Sequence, residues 1–279
     1  MMDIKPFNSD VGTALVNRIS DAIGTLYEPH RIVKKAEAEA KASIIQKEAD
    51  IKCSELQQRA MQRWIHEETR KQANIESIQE KAIPLLKDDA KPHEMEEDWI
   101  AHFFEKSRSI SDTEMQSLWA RILAGEANKS GSFSKRTIDI ISYLGRNEAS
   151  VFSKLCCYCL EIKSGLLTFI INPQNEIYSK EGINFDILNE LDSIGLINFN
   201  SVLGYKWTFT NKTAEAKYHD ISFHIDVSKT QDNAINLGQV IFTRSGRQLY
   251  SIIASEKING FTEYLLEVFK TKEVSIKAI

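Results

Sequence analysis

The stretch MQSLWARILAGEANKSGSFSKRT, from Met115 to Thr137, decides how the middle of this chain is read. Its first half sets Met115, Leu118, Trp119, Ile122 and Leu123 at three- and four-residue steps, the spacing that gathers apolar side chains on one side of a helix. Ser111 stands three residues before Glu114, the layout of a capping box, so the helix is expected to start there. Gly125 to Gly131 supplies the small and polar residues that end it. Ser132 or Ser134 then caps a second helix, which carries Ile138, Ile141 and Leu144. A serine turn followed by Lys135 and Arg136 is also a place where a helix start can hold an anion. The glycines and lysine have the wrong spacing for a Walker loop. The expectation is a capped corner between two buried helices, with Ser132, Ser134, Lys135 and Arg136 as candidate anion contacts.

Upstream, no proline or glycine interrupts Arg31 to Ile83, and helix formers dominate. One helix of that length would reach on the order of 80 Å, farther than a small domain is wide, so it needs a partner. Acidic and basic residues interleave along it in near balance, which reads as a solvated face and not as a nucleic-acid track. Ile44, Ile51 and Ile65 keep a seven-residue register, but Gln58 and Gln72 hold two of its positions. The reading is an imperfect coiled coil or antiparallel helix pair, with a homo-oligomer formed through this helix. Before it, Val11, Leu15, Ile19, Ala22, Ile23 and Leu26 make Asp10–Tyr27 a short amphipathic helix. Such a helix docks on its own protein or a partner, or lies on a membrane surface; Arg18 as the lone cation of its polar face weakens the membrane reading. After Pro84 and Pro92, Trp99, Ile100, Phe103 and Phe104 form an aromatic core face.

From Glu148 the character changes. EASVFSKLCCYCLEI reads as a buried helix, GLLTFIINPQNEIYS as two short strands joined at Asn172 and Pro173, and FDILNELDSIGLI as a helix closed by Gly195. INFN, LGYKWTF, ISFHIDV and INLGQVIFTRSGRQL are strand-like, the last running into a helix near Tyr250. Helix, strand, helix and hairpin follow the order of a winged helix. A DNA-reading helix presents Arg, Lys, Asn or Gln to bases and phosphates. FDILNELDSIGL instead offers Asp186, Glu190 and Asp192 and no cation. A protein-interaction module is therefore expected, with DNA binding as the alternative and Arg244 and Arg247 as its candidate phosphate contacts from a wing.

The chain has 279 residues, 42% hydrophobic and 27% charged, with a net charge of −4. That acidic balance gives no bulk reason to seek polyanions. The start lacks the layout of a secretory signal and no run approaches the ~18 apolar residues of a membrane span, so a cytoplasmic location is expected. Cys53, Cys156, Cys157 and Cys159 read as reduced thiols. His93 and His102 do not have zinc-protease spacing, and Glu97 stands where the second histidine would be needed. His219 and His224 lie near Asp220 and Asp226 with no nucleophile at a recognisable spacing. No catalytic, metal or cofactor residue is assigned, and a non-enzymatic role is expected. The fold class read from all this is mainly α with an α+β C-terminal part. Its segments are 1–27 (amphipathic helix), 28–91 (long charged helix), 92–147 (compact helices) and 148–279 (winged-helix-like).

Taken in order, LYEPHRIVKKAEAEAKA (Leu26–Ala42), RKQANIESIQEKA (Arg70–Ala82), DWIAHFFEKSRSIS (Asp98–Ser111), MQSLWARILAGE (Met115–Glu126) and GSFSKRT (Gly131–Thr137) resemble the bacterial domain-of-unknown-function family 2806. The resemblance covers roughly Leu26 to Ala149. In the family a proline often precedes the glycine of GSFS, where this chain has Ser130. The resemblance implies no activity and supplies no active-site residues. Proteins similar around LWARILAGE include some suspected of abortive infection against phage, so it implies a defence context.

Overall fold

An amphipathic helix needs a surface to cover its apolar side, and the first part of this chain meets that need with other helices. The computed structural model describes residues 10–24, 55–230, 232–270 and 274–278. Its contacts group the chain into two units, Met1–Ser142 and Tyr143–Ile279.

The first unit holds α1 (Asp10–Ile23), α2 (Glu55–Ala82), α3 (Glu97–Ser107), α4 (Thr113–Asn128) and α5 (Lys135–Ser142), with single 3-10 turns at Ile83–Leu85 and Pro92–Glu94. Helix α1 packs on α3, and its Leu15 and Ile19 are fully buried. Arg18 fastens it there, donating to the Met95 carbonyl at 2.6 and 3.2 Å and to the Glu97 carboxylate at 2.9 Å. Helix α3 packs on α5, and α2 runs along α4. The aromatic face read from the sequence is the centre of this unit: Trp99 stacks on Phe103 at 5.1 Å, and Phe103 meets Trp119 edge-on at 5.2 Å.

Three readings change here. Helix α4 is capped by Asp112, whose carboxylate accepts the Glu114 and Met115 N–H groups, while Ser111 accepts a bond from Asn74. The carboxylate, one residue later than the serine, is the group that reaches the free N–H donors of the first turn. Ile44 and Ile51 lie outside the described residues. Ile65 is half-buried and sits ~100° around α2 from the buried Ala82 and ~140° from the buried Ile78. The buried side of α2 was hard to see because amides share it: Asn74 and Gln79 are buried beside Ile75, Ile78 and Ala82. Gln116 of α4 answers Asn74, donating to it and to the Ile110 carbonyl and accepting from Ser77 at 2.8 Å and Lys81 at 2.6 Å. A seam of this kind fixes register, because sliding either helix by one turn leaves buried amides unpaired.

The second unit begins with α6 (Arg146–Cys156) and then turns into strands earlier than read: Cys159–Ile162 is β1, not helix, and pairs with β2 (Gly165–Thr168). A buried apolar run has no period to tell helix from strand, so LCCYCLEI gave no warning. Of the two strands expected in GLLTFIINPQNEIYS on either side of Asn172 and Pro173, the first is β2 and the second is not there. Ile170 bridges in parallel to Gly238, and the chain enters α7 (Glu176–Ser179) and α8 (Phe185–Ile194), capped by Asn175 and Asn184. Gly195, at φ 92°, closes α8 as read.

Strands β3 (Ile197–Phe199), β4 (Tyr205–Thr208), β5 (Thr213–Tyr218), β6 (Ile221–Asp226), β7 (Ala234–Gly238) and β8 (Val240–Phe242) follow. Then come α9 (Arg244–Tyr250), α10 (Phe261–Lys270) and β9 (Ser275–Ala278). Strand β3 pairs with β8 and β4 with β7, so they form the two sides of one interrupted antiparallel ladder. From its far end β5 and β6 continue into an antiparallel sheet of order β2-β1-β5-β6-β9. Gly238 is the seam: a Cβ there would stand 2.0 Å from the Ile170 carbonyl oxygen, and φ is +89°. Only glycine lets the two backbones approach so closely.

Candidate functional site

The corner quoted at the outset does bind an anion, and the anion is its own. Glu126, 3% exposed on α4, accepts the Gly131 N–H at 2.6 Å and the Phe133 N–H at 2.8 Å with its two carboxylate oxygens. Burial pushes its carboxyl above the usual value, and the N–H groups of Gly131, Phe133 and Ser132 oppose that rise. Those donors face inward, so no seat for an outside phosphate is left on them. Ser134 caps α5 by accepting the Thr137 N–H, and Ser132 donates to the Lys129 carbonyl. Lys135 is exposed with Asp98 3.8 Å away, and Arg136 is exposed on the first turn of α5. The four candidates are thus neighbours in a capped corner. The group that organises it, Glu126, was missed in the sequence, although an acid in the last turn before a glycine-serine loop is the available signal.

In the second unit a different surface comes forward. The start of α8, the Asn172–Gln174 segment and the turn after β3 enclose an open cleft of about 630 Å³. Its lining residues are Asn172, Pro173, Gln174, Ser179, Asn184, Phe185, Asp186, Ser201 and Gln239, with no cation among them. On its rim Phe185 is 55% exposed while its ring meets Phe199 edge-on at 5.5 Å. Beside Ser201, Val202 and Leu203 are each 87% exposed. Their turn is built: the Asn200 side-chain oxygen accepts both of their N–H groups, at 3.1 and 2.9 Å, and Gln239 donates to the Ser201 carbonyl. The pattern Asn, two aliphatics, Gly in NSVLG was the signal for it, since turn residues normally flank polar tips.

Arg244 and Arg247 lie on helix α9 and not on a wing, because Thr243 caps a helix immediately after β8. Arg247 donates to the Phe242 carbonyl at 2.7 Å, so part of its guanidinium is committed to the backbone. On α8, Asp186 and Glu190 are exposed, and Asp192 accepts the Phe199 N–H at 2.9 Å. Cys156, Cys157 and Cys159 are free and buried, and burial pushes each thiol up, away from the reactive thiolate. His102 pairs with Asp139 at 2.9 Å and not with His93. Among the described residues, no group of three or more His, Cys, Asp or Glu could hold a metal ion, and no helix is long and apolar enough to cross a membrane.

A family model described as protein of unknown function, DUF2806, matches residues 58–266. The match begins after the Leu26–Ala42 motif and extends through most of the second unit, well beyond the span of the resemblance read from the sequence. No curated protein and no solved structure matches the chain.

Proposed function

We propose that this chain, which belongs to the DUF2806 family of proteins of unknown function, is a non-enzymatic, self-assembling protein-interaction component of a bacterial system. Anti-phage defence is the context its sequence resemblance suggests. The observation that carries the reading is the second unit's cleft, lined by amides, serines, Asp186, Pro173 and the exposed Phe185, together with the turn that follows Ser201 and displays Val202 and Leu203. Exposed aliphatics held on a fixed turn fit a protein partner, which covers them, and offer nothing to a phosphate backbone. For self-assembly the support is Leu56, Met61 and Trp64, large apolar residues exposed on α2.

The order α6, Ile170 bridge, α7, α8 and ladder supports a winged-helix reading of the second unit, and with it a DNA-binding regulator as the second reading. The acids of α8 and the commitment of Arg247 weigh against that use. A membrane-active role for Asp10–Tyr27 is weakened by the burial of Leu15 and Ile19.

Light scattering of the full chain across a concentration series tests the assembly: a mass that stays at the 31.8 kDa of one chain would sink it. Salt-dependent binding to duplex DNA that falls when Arg244 and Arg247 are changed would favour the regulator. Flotation with liposomes that needs Asp10–Tyr27 would favour the membrane role.

A further inference from the structure

The cleft of the second unit carries charge of one sign only. Asp186 is the single charged residue of its lining. Glu190 follows one turn along α8 and about 40° around it, and both side chains are exposed. Among the described residues no ion pair closes on either carboxylate, and Lys180, which adjoins Ser179 of the lining, is taken by Glu176. The neighbouring amides are already engaged by the fold. The Asn172 side-chain oxygen accepts the Gln174 N–H at 3.1 Å, the Asn184 oxygen accepts the Ile187 N–H at 3.1 Å, and Gln239 donates to the Ser201 carbonyl at 3.2 Å. A ligand that enters therefore meets one carboxylate without a cation.

Beside that carboxylate stands an open ring. Phe185 precedes Asp186 on the first turn of α8 and lines the same cleft; Phe199 meets it edge-on at 5.5 Å, which leaves it 55% exposed. An arginine fits both groups at once, because its flat guanidinium stacks on an aromatic face while its N–H fork closes on a carboxylate. A lysine brings the charge without the fork. Ser201 also lines the cleft, and Val202 and Leu203 follow it, each 87% exposed on their pinned turn. They call for an apolar side chain on the same ligand, which a free small cation lacks. A nucleic-acid backbone brings the wrong sign.

We propose that the cleft takes an arginine from an extended segment of a partner protein. Its guanidinium lies on Phe185 and pairs with Asp186, Glu190 adds to the attraction, and a neighbouring aliphatic side chain covers Val202 and Leu203. This rests on the protein-interaction reading above and adds what the partner must carry.

The test uses the full chain and a fluorescein-labelled peptide, Gly-Ser-Arg-Leu-Leu-Ser-Gly, followed by fluorescence anisotropy. Citrulline or glutamate in place of arginine should weaken binding at least about tenfold, and lysine by less. Asp186→Asn should weaken the arginine peptide at least about tenfold and leave the citrulline peptide unchanged, the signature of a direct pair. Val202→Ser with Leu203→Ser should weaken both peptides by the same factor, about fivefold. Since an acid also suits the first turn of a helix, thermal denaturation of each variant is read beside its binding. Arginine and citrulline peptides that bind alike, an arginine peptide indifferent to Asp186→Asn, or no binding by about 1 mM protein each overturn the proposal. If the peptide fails while Val202→Ser with Leu203→Ser lowers the mass of the full chain in light scattering, the surface serves a protein contact of another kind: this proposal falls and the reading beneath it stands.

Discussion

Two corners of this protein use one local device for opposite ends. In the first unit Glu126 gathers the N–H groups of Gly131 and Phe133, and Phe133 is 2% exposed. In the second unit Asn200 gathers the N–H groups of Val202 and Leu203, and both side chains are 87% exposed. Each turn is pinned by a side-chain oxygen, yet one folds its apolar residue into a core and the other holds two out to solvent. A pinned turn is therefore not evidence of function by itself. What its apolar residues touch is what separates a structural corner from a contact surface.

The contrast is broken most severely at Glu126. Glu126→Ala leaves buried N–H groups without an acceptor and should cost about 3 kcal/mol of first-unit stability, read by urea denaturation. A pH series sharpens it next. Because burial raises the folded-state value of Glu126, the native state holds its proton more tightly than the unfolded chain. Its contribution is thus fully present below the ordinary value of 4.5 and is lost as pH rises through the raised one. Glu126→Gln, which cannot ionise, should remove that slope while lowering stability, since its amide N–H₂ faces a backbone donor. Asn200→Ala should cost only about 1 kcal/mol, because water can replace an exposed acceptor, and hydrogen exchange at Val202 and Leu203 should speed up. Val202→Ser with Leu203→Ser should move stability by less than about 0.5 kcal/mol. A loss several times larger in thermal denaturation would show that these residues are packed and would remove them as a contact surface.

The legible parts of the sequence were those set by local chemistry. Helix α4 from Met115 to Ala124, the Ser134 cap, the Gly195 stop and the aromatic cluster of Trp99 and Phe103 all follow from period and capping. What escaped was decided over distance. Cys159–Ile162 becomes a strand because Gly165–Thr168 and Thr213–Tyr218 are there to pair with it, and no residue inside LCCYCLEI says so. The buried face of α2 escaped because Asn74 and Gln79 look like solvent residues until Gln116 and its neighbours are placed opposite. Ile65, the one described residue of the isoleucine register, lies on another side of the helix. For the candidate sites, Glu126 and the Asn200 turn were hidden because a hydrogen bond from side chain to backbone leaves no composition signature. Arg244 and Arg247 were read on a wing and lie on a helix, since one capping threonine was read as strand.

The order of strands in the second unit also sets a timetable for synthesis. Helices α2 to α5 find their partners within residues 55–142, whereas the five-stranded sheet draws β1 from near residue 160 and β9 from beyond residue 274. Until β9 leaves the ribosome, β6 has a bare edge whose N–H and C=O groups lack their last partner. The first unit can close before the second, whose sheet must wait for β9, which makes the nascent sheet the stage at which a chaperone has most to protect.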